Sequence, residues 1–162
     1  MENTAYDITK KALALLHSQH IMTLSTTDGK RPWATPVYYV LSSKSFYFFS
    51  NPDSRHIINS QGGAPVAASV HEPSSGWSDI RGVQMEGTLA EAGFDMGSTT
   101  AYALYISRFT FIHEMGKAPL SPMLSFSALE ASFKVKWHKF TPEKVYYLDN
   151  SIRFGYREGV EL

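Results

Sequence analysis

A chain of 162 residues in which lysine plus arginine equal aspartate plus glutamate, 15 of each, is sized for a single domain (1–162) and has neither a basic field for nucleic acid nor an acidic tail for a cationic partner. The absence of cysteine excludes a disulfide framework, a thiolate nucleophile and Cys-type zinc or iron–sulfur sites, and it fits a reducing compartment. No apolar run approaches the roughly 20 residues of a membrane span, and no charged leader precedes an apolar core, so a soluble, cytoplasmic chain with no membrane partner is expected.

In chain order, Ile8, Leu13, Leu15 and Leu16 of "DITKKALALLHSQ" give a helix face, with Thr4 or Asp7 as candidate cap. "HIMTLST" alternates with period two and reads as a strand; the Asp28-Gly29 turn then leads into "PWATPVYYVLS", its antiparallel partner. Pro32 and Pro36 cannot donate to a ladder, which makes part of that partner an edge, a bulge or a place where backbone faces something else. A turn at Ser42 to Ser45 leads to the strand "FYFFS", then a short helix, the break "GGAP", a strand "VAASVHE", a loop "PSSGWSD" and a strand "IRGVQMEGTLAEA". The spacing of Tyr102, Leu104, Tyr105, Ile106 and Phe109 predicts a helix from Gly97 to Phe111. "KAPLSP" reads as an irregular turn, and "SFKVKWHKFTP" and "EKVYYLDN" as two strands separated by Pro142. Six or seven antiparallel strands with few helices make the fold mainly β, a closed or partly closed barrel.

The stretch "YFFSNPDSRHIIN" places Arg55 and His56 in the first turn of a helix, where a cation is unfavourable unless an anion is near. With the hydroxyls of Ser50 and Ser54 as further donors, the segment suits a phosphate. The plainer alternative pairs Arg55 with a surface carboxylate and leaves His56 solvated. In "IRGVQMEGTL", Gly82 and Gly87 mark close approach of a ligand or another backbone, and the amide of Gln84 between them suits the edge of a planar heterocycle, or is simply exposed on a bulged strand. The six histidines are scattered without metal-ligand spacing, and no GxSxG or GxGxxG motif is present, so no metal site, catalytic serine or Rossmann site is expected.

Taken in order, "HIMTLSTTDGKRPWATPVYYV", "FYFFSNPDSRHIIN", "IRGVQMEGTL" and "VYYLDNSIRFGYRE" resemble the pyridoxamine 5'-phosphate oxidase-like FMN-binding split-barrel family, over nearly the whole chain and most closely a small bacterial branch of it. The resemblance implies a six-stranded antiparallel split barrel that forms a homodimer with FMN at the interface. It implies that Ser50, Ser54 and Arg55 hold the FMN phosphate, with His56 where the family has lysine. It further implies that Thr35, Pro36 and Val37 line the ribityl chain and ring, that Gln84 sits near the ring, and that Arg157 reaches the partner's site. The implied activity is that of an oxidoreductase or flavin reductase drawing on NAD(P)H or another electron donor; the alternatives are a non-catalytic FMN carrier or redox sensor, a haem-binding relative, or a true pyridoxamine phosphate oxidase. Gly155 replaces the histidine of the true oxidases' substrate-gripping segment, which argues against vitamin B6 oxidation.

Overall fold

Period-two alternation drives most of the chain into one curled antiparallel sheet. The computed structural model describes residues 2–112, 130–131 and 133–162. Helix α1 (Glu2–Ser18) precedes strands β1 (Ile21–Thr27), β2 (Pro32–Tyr38), β3 (Val40–Ser42) and β4 (Ser45–Ser50). Helix α2 (Arg55–Asn59), β5 (Val66–His71), β6 (Arg81–Glu91), α3 (Met96–Arg108), β7 (Lys136–Asp149) and β8 (Arg157–Gly159) follow. The strand order is β2-β1-β5-β6-β7-β4-β3, with β8 sharing the β4 side of β7. The sheet curls until β2 and β4 touch without a ladder between them, and α2 packs against β1 and β2 at that split.

The mainly β, split-barrel expectation holds, with differences of detail. The strands described number eight rather than six or seven, because "PWATPVYYVLS" divides at Tyr39 and the chain adds the short β8. Tyr39 turns inward, fully buried, and its hydroxyl donates to the Leu16 carbonyl at 2.6 Å. β2 is an edge strand, so its two prolines deprive no neighbour of a donor. Helix α1 starts earlier than expected, so Thr4 and Asp7 lie inside it, and Asp7 pairs with Lys11 one turn on. Ile8, Ala12, Leu15 and Leu16 form its buried stripe. Helix α3 ends at Arg108, short of the expected Phe111, and is capped by Asp95, which accepts from the Ser98 amide at 2.7 Å. The "KAPLSP" turn lies outside the described residues.

One core lies inside the curl, built around Phe46, Phe48, Phe140, Met22 and Leu24, and a second packs Trp137, Tyr47 and Tyr105 under α3. Both depend on β7, which runs unbroken through Pro142 where two strands were expected. The register slips between Glu86 and Gly87: Glu86 faces Lys144, Gly87 faces Pro142, and Glu143 is left over as a bulge. A proline is tolerated there because a bulge relieves it of a ladder bond. A Cβ on Gly87 would lie 2.1 Å from the Thr141 carbonyl oxygen and 2.8 Å from Pro142 Cα, so the position admits glycine alone. Gly87→Ala should therefore lower unfolding stability in urea by about 2–3 kcal/mol. Gly93→Ala, where nothing lies within 4 Å of the added carbon, should stay within about 0.5 kcal/mol of the parent.

Candidate functional site

The buried strand residues of β4 end at Ser50, and the next turn organises the polar groups of interest. Asn51 Oδ1 accepts from the Asp53 amide at 2.8 Å, and the Asn51 carbonyl accepts from the Ser54 amide at 3.0 Å and from the Ser54 hydroxyl. Ser54 is the N-cap of α2, yet its side chain does not cap the helix amides. With five residues, α2 contributes little macrodipole, so recognition here falls to side chains.

Arg55 and His56 leave this turn in different directions. The Arg55 guanidinium lies 4.7 Å from the centroid of the Trp33 ring and 3.4 Å from Asp28 Oδ2. Asp28 accepts from the Lys30 and Arg31 amides in the β1–β2 turn; these bonds, the Arg31 one foremost, and the Arg55 charge hold its carboxyl below the usual range. An exposed pair of this kind contributes little to stability, so Arg55 can exchange partners at small cost. His56 is neither solvated nor beside Arg55. It is buried, and its Nε2 lies 2.9 Å from Ser50 Oγ, which in turn lies 3.2 Å from Ser54 Oγ. Burial pushes the His56 imidazole below its ordinary pKa. The structure thus sets the His56 ring against the Ser50 hydroxyl rather than in solvent.

Strand alternation splits the three β2 residues between two faces. Thr35 and Val37 share a face with Trp33, turned toward the core and α2, and Val37 packs against the main core. Thr35 Oγ1 is buried there without a hydrogen-bond partner. Pro36 points outward, opposite Thr23. The cross-strand row continues from Thr23 to Ser69, Gln84 and Tyr146, a line of small and polar residues along the outer face. Gln84 and Arg157 meet in a pocket of about 370 Å³ on this face, with Ser25, Ser69 and Tyr146. These last three were missed in the sequence, although the alternation of "HIMTLST" and "VAASVHE" already places small polar residues outward. Gly82 serves the sheet itself, since its Cβ would lie 2.8 Å from the Val70 carbonyl oxygen.

Arg157 owes its position to the turn that joins β7 and β8. Ser151 donates to Asp149 Oδ1 through its amide at 2.9 Å and its hydroxyl at 2.6 Å, and Arg81 Nε lies 3.4 Å from the same oxygen. Asn150 donates to the Trp77 carbonyl at 2.8 Å and accepts from the Gly155 amide at 3.0 Å. Gly155 has φ of 68°, a left-handed conformation that explains glycine at this position.

Residues 8–149 match the family model for pyridoxamine 5'-phosphate oxidase, and the chain belongs to that family. Among its relatives is a UPF0306 protein of Klebsiella pneumoniae (strain 342), 25% identical over 142 residues that span 86% of this chain and 84% of the relative. Two solved structures share the fold. An FAD-binding protein from Mesorhizobium loti is 18% identical with a TM-score of 0.60, covering 84% of this chain and 90% of that one. HutZ, the haem storage protein from Vibrio cholerae, is 12% identical with a TM-score of 0.64, covering 85% and 92%. Among the described residues there is no cluster suited to a metal ion, and no helix is long and apolar enough to cross a membrane.

A second buried histidine adjoins this turn. His138, on β7 opposite Phe48, is 3% exposed, and burial pushes its pKa down to about 4. Between that value and the unfolded value near 6.5, the unfolded chain binds the extra proton. The contribution is present in full above pH 6.5 and is lost as pH falls toward about 4, with His56 displaced in the same direction. Urea unfolding should show stability declining across this interval by roughly 3 kcal/mol from His138. His138→Phe should flatten that part of the profile.

Proposed function

We propose that this protein is an FMN-binding flavoprotein that works as a homodimeric oxidoreductase of the flavin reductase kind. The observation that carries the reading is the placement of the Arg55 guanidinium over Trp33 of β2, next in the chain to Ser54, whose hydroxyl meets that of Ser50. A cation with hydroxyl donors fits a phosphate ester. Arg55 would exchange the weak Asp28 contact for the phosphate while its flat face stays on Trp33. Ser50, held by His56, would present its hydroxyl to the same group.

When bound, FMN supplies the hydride and electron chemistry. The chain's own residues bind and orient. The outward row from Pro36 to Gln84 spans three strand spacings, about 14 Å, and is low and polar enough for a fused ring system to lie along it. The Gln84 amide can both donate to and accept from a heterocycle edge. Ile21 and Tyr38, 49% and 45% exposed, border this row and favour burial against a second copy. In such a dimer, the phosphate turn of one protomer and the partner's Arg157 would address one flavin. Electrons would come from a reduced nicotinamide, and the organic acceptor would enter over the exposed ring.

Arg55→Ala should weaken FMN binding about 10- to 100-fold while leaving riboflavin affinity nearly unchanged, measured by flavin fluorescence quenching. Equal losses for both flavins would remove Arg55 from the phosphate. Arg157→Ala should weaken both flavins alike, and sedimentation velocity should show FMN shifting the parent chain toward dimer. A monomer that binds FMN as tightly as the dimer would overturn the shared site. Anaerobic titration with NADH and NADPH then separates a reductase, whose flavin bleaches, from a carrier or sensor, whose flavin does not.

A further inference from the structure

The two carboxylate oxygens of Asp28 divide their work. Oδ1 accepts from the Lys30 amide at 2.9 Å and the Arg31 amide at 2.7 Å, which closes the turn between β1 and β2. Oδ2 is turned to Arg55, 27 residues further along the chain, and lies 3.4 Å from its Nη2. The turn needs one side-chain acceptor at this position, which asparagine or serine also supplies, so the second oxygen and the negative charge are not explained by the turn.

The contact with Arg55 is loose. Its separation is longer than the roughly 2.7–2.9 Å of a well-made charge-assisted bond, and the side chains of Arg55 and Asp28 are 37% and 43% exposed. Trp33 meets the guanidinium separately, its ring centroid 4.7 Å away. The Arg31 and Lys30 amides hold the Asp28 carboxyl below its usual range, so it is charged throughout the neutral range. A carboxylate fixed by its turn thus sits on the guanidinium that a phosphate would use, and like charges cannot share that position without cost.

We propose that Asp28 is a built-in competitor for the flavin phosphate: it engages Arg55 when no phosphate is bound, gives way when FMN binds, and so lowers the preference of the site for FMN over riboflavin. Asp28 can play this part only if Arg55 holds the phosphate as proposed above. Its effect is to keep FMN exchangeable, because a departing phosphate is replaced on Arg55 by a carboxylate already in place.

The test titrates FMN and riboflavin into the full-length chain by flavin fluorescence quenching. Asp28→Asn keeps the turn acceptor and removes the charge. It should tighten FMN about two- to fivefold, the range that an exposed ion pair allows, and leave riboflavin unchanged. Asp28→Ser, which also retains an acceptor, should do the same and serves should the first variant fail to fold. In an Arg55→Ala background the gain should vanish, since no guanidinium remains to compete for. The proposal is overturned if neither folded variant tightens FMN, if riboflavin gains as much as FMN, or if the gain persists without Arg55, which would make Asp28 a bystander charge. Should Arg55→Ala alone leave the preference for FMN over riboflavin intact, the phosphate reading fails and the role of Asp28 with it. A preference lost in Arg55→Ala but not raised in Asp28→Asn would overturn the competitor and leave the phosphate reading standing.

Discussion

The approach of β6 to β7 at Gly87 is the constraint on which the rest of the architecture depends. With a Cβ 2.1 Å from the Thr141 carbonyl, the two backbones could not adopt this spacing, and the bulge that leaves Glu143 unpaired could not form as it does. A bulge bends its strand and sharpens the local twist, which is how one 11-residue strand serves two surfaces. Before the bulge, Gln84 and Glu86 face the outer pocket; after it, Thr88 to Glu91 line a second cavity beside His138. The same bend lets β7 carry β4 on the far side at one end and β8 at the other, so that the turn after Ser50 and Arg157 are fixed by opposite ends of a single strand.

Ser50 connects the local chemistry. Its position at the end of a buried strand sets its hydroxyl among the side chains of the turn, where His56 and Ser54 are its partners. The cationic character of the site therefore rests on Arg55, because both nearby imidazoles are kept neutral by burial. Under the proposed function, balanced overall charge is no obstacle to an anion site, since one guanidinium with hydroxyl partners needs no surrounding basic field.

Much of this was legible in the sequence, and the failures have physical causes. The alternation of "HIMTLST" and "VAASVHE" fixed which residues face outward, and Asp28-Gly29 fixed the first hairpin. Pro142 was misread as a strand end because a single sequence does not reveal that the partner strand holds a glycine at the facing position. For His56 the sequence left open an anion or solvent, because it does not show that α2, five residues long, lies against β1 and β2 and buries the ring. Thr35, Pro36 and Val37 were treated as a unit, yet period two assigns them to opposite faces. His138 could not be singled out at all: Trp137 and His138 are adjacent in the chain, and only the topology decides which of them lies under α3 and which stacks on Phe48.

The distribution of titratable groups bears on the kind of chemistry the molecule can perform. The outer pocket offers an amide, two hydroxyls of serine, a phenol, a carboxylate and a guanidinium, with its one carboxylate, Glu86, engaged by Lys144 at 3.1 Å. The groups whose proton affinities are most displaced, Tyr39, Tyr105 and His138, lie in the interior, where desolvation suppresses their charged forms. An enzyme relying on side-chain acids and bases would place such displaced groups in its cleft. Here the cleft holds groups that orient and solvate, an arrangement suited to a bound redox group that brings its own reactivity and asks of the protein only a fixed position and a dry face.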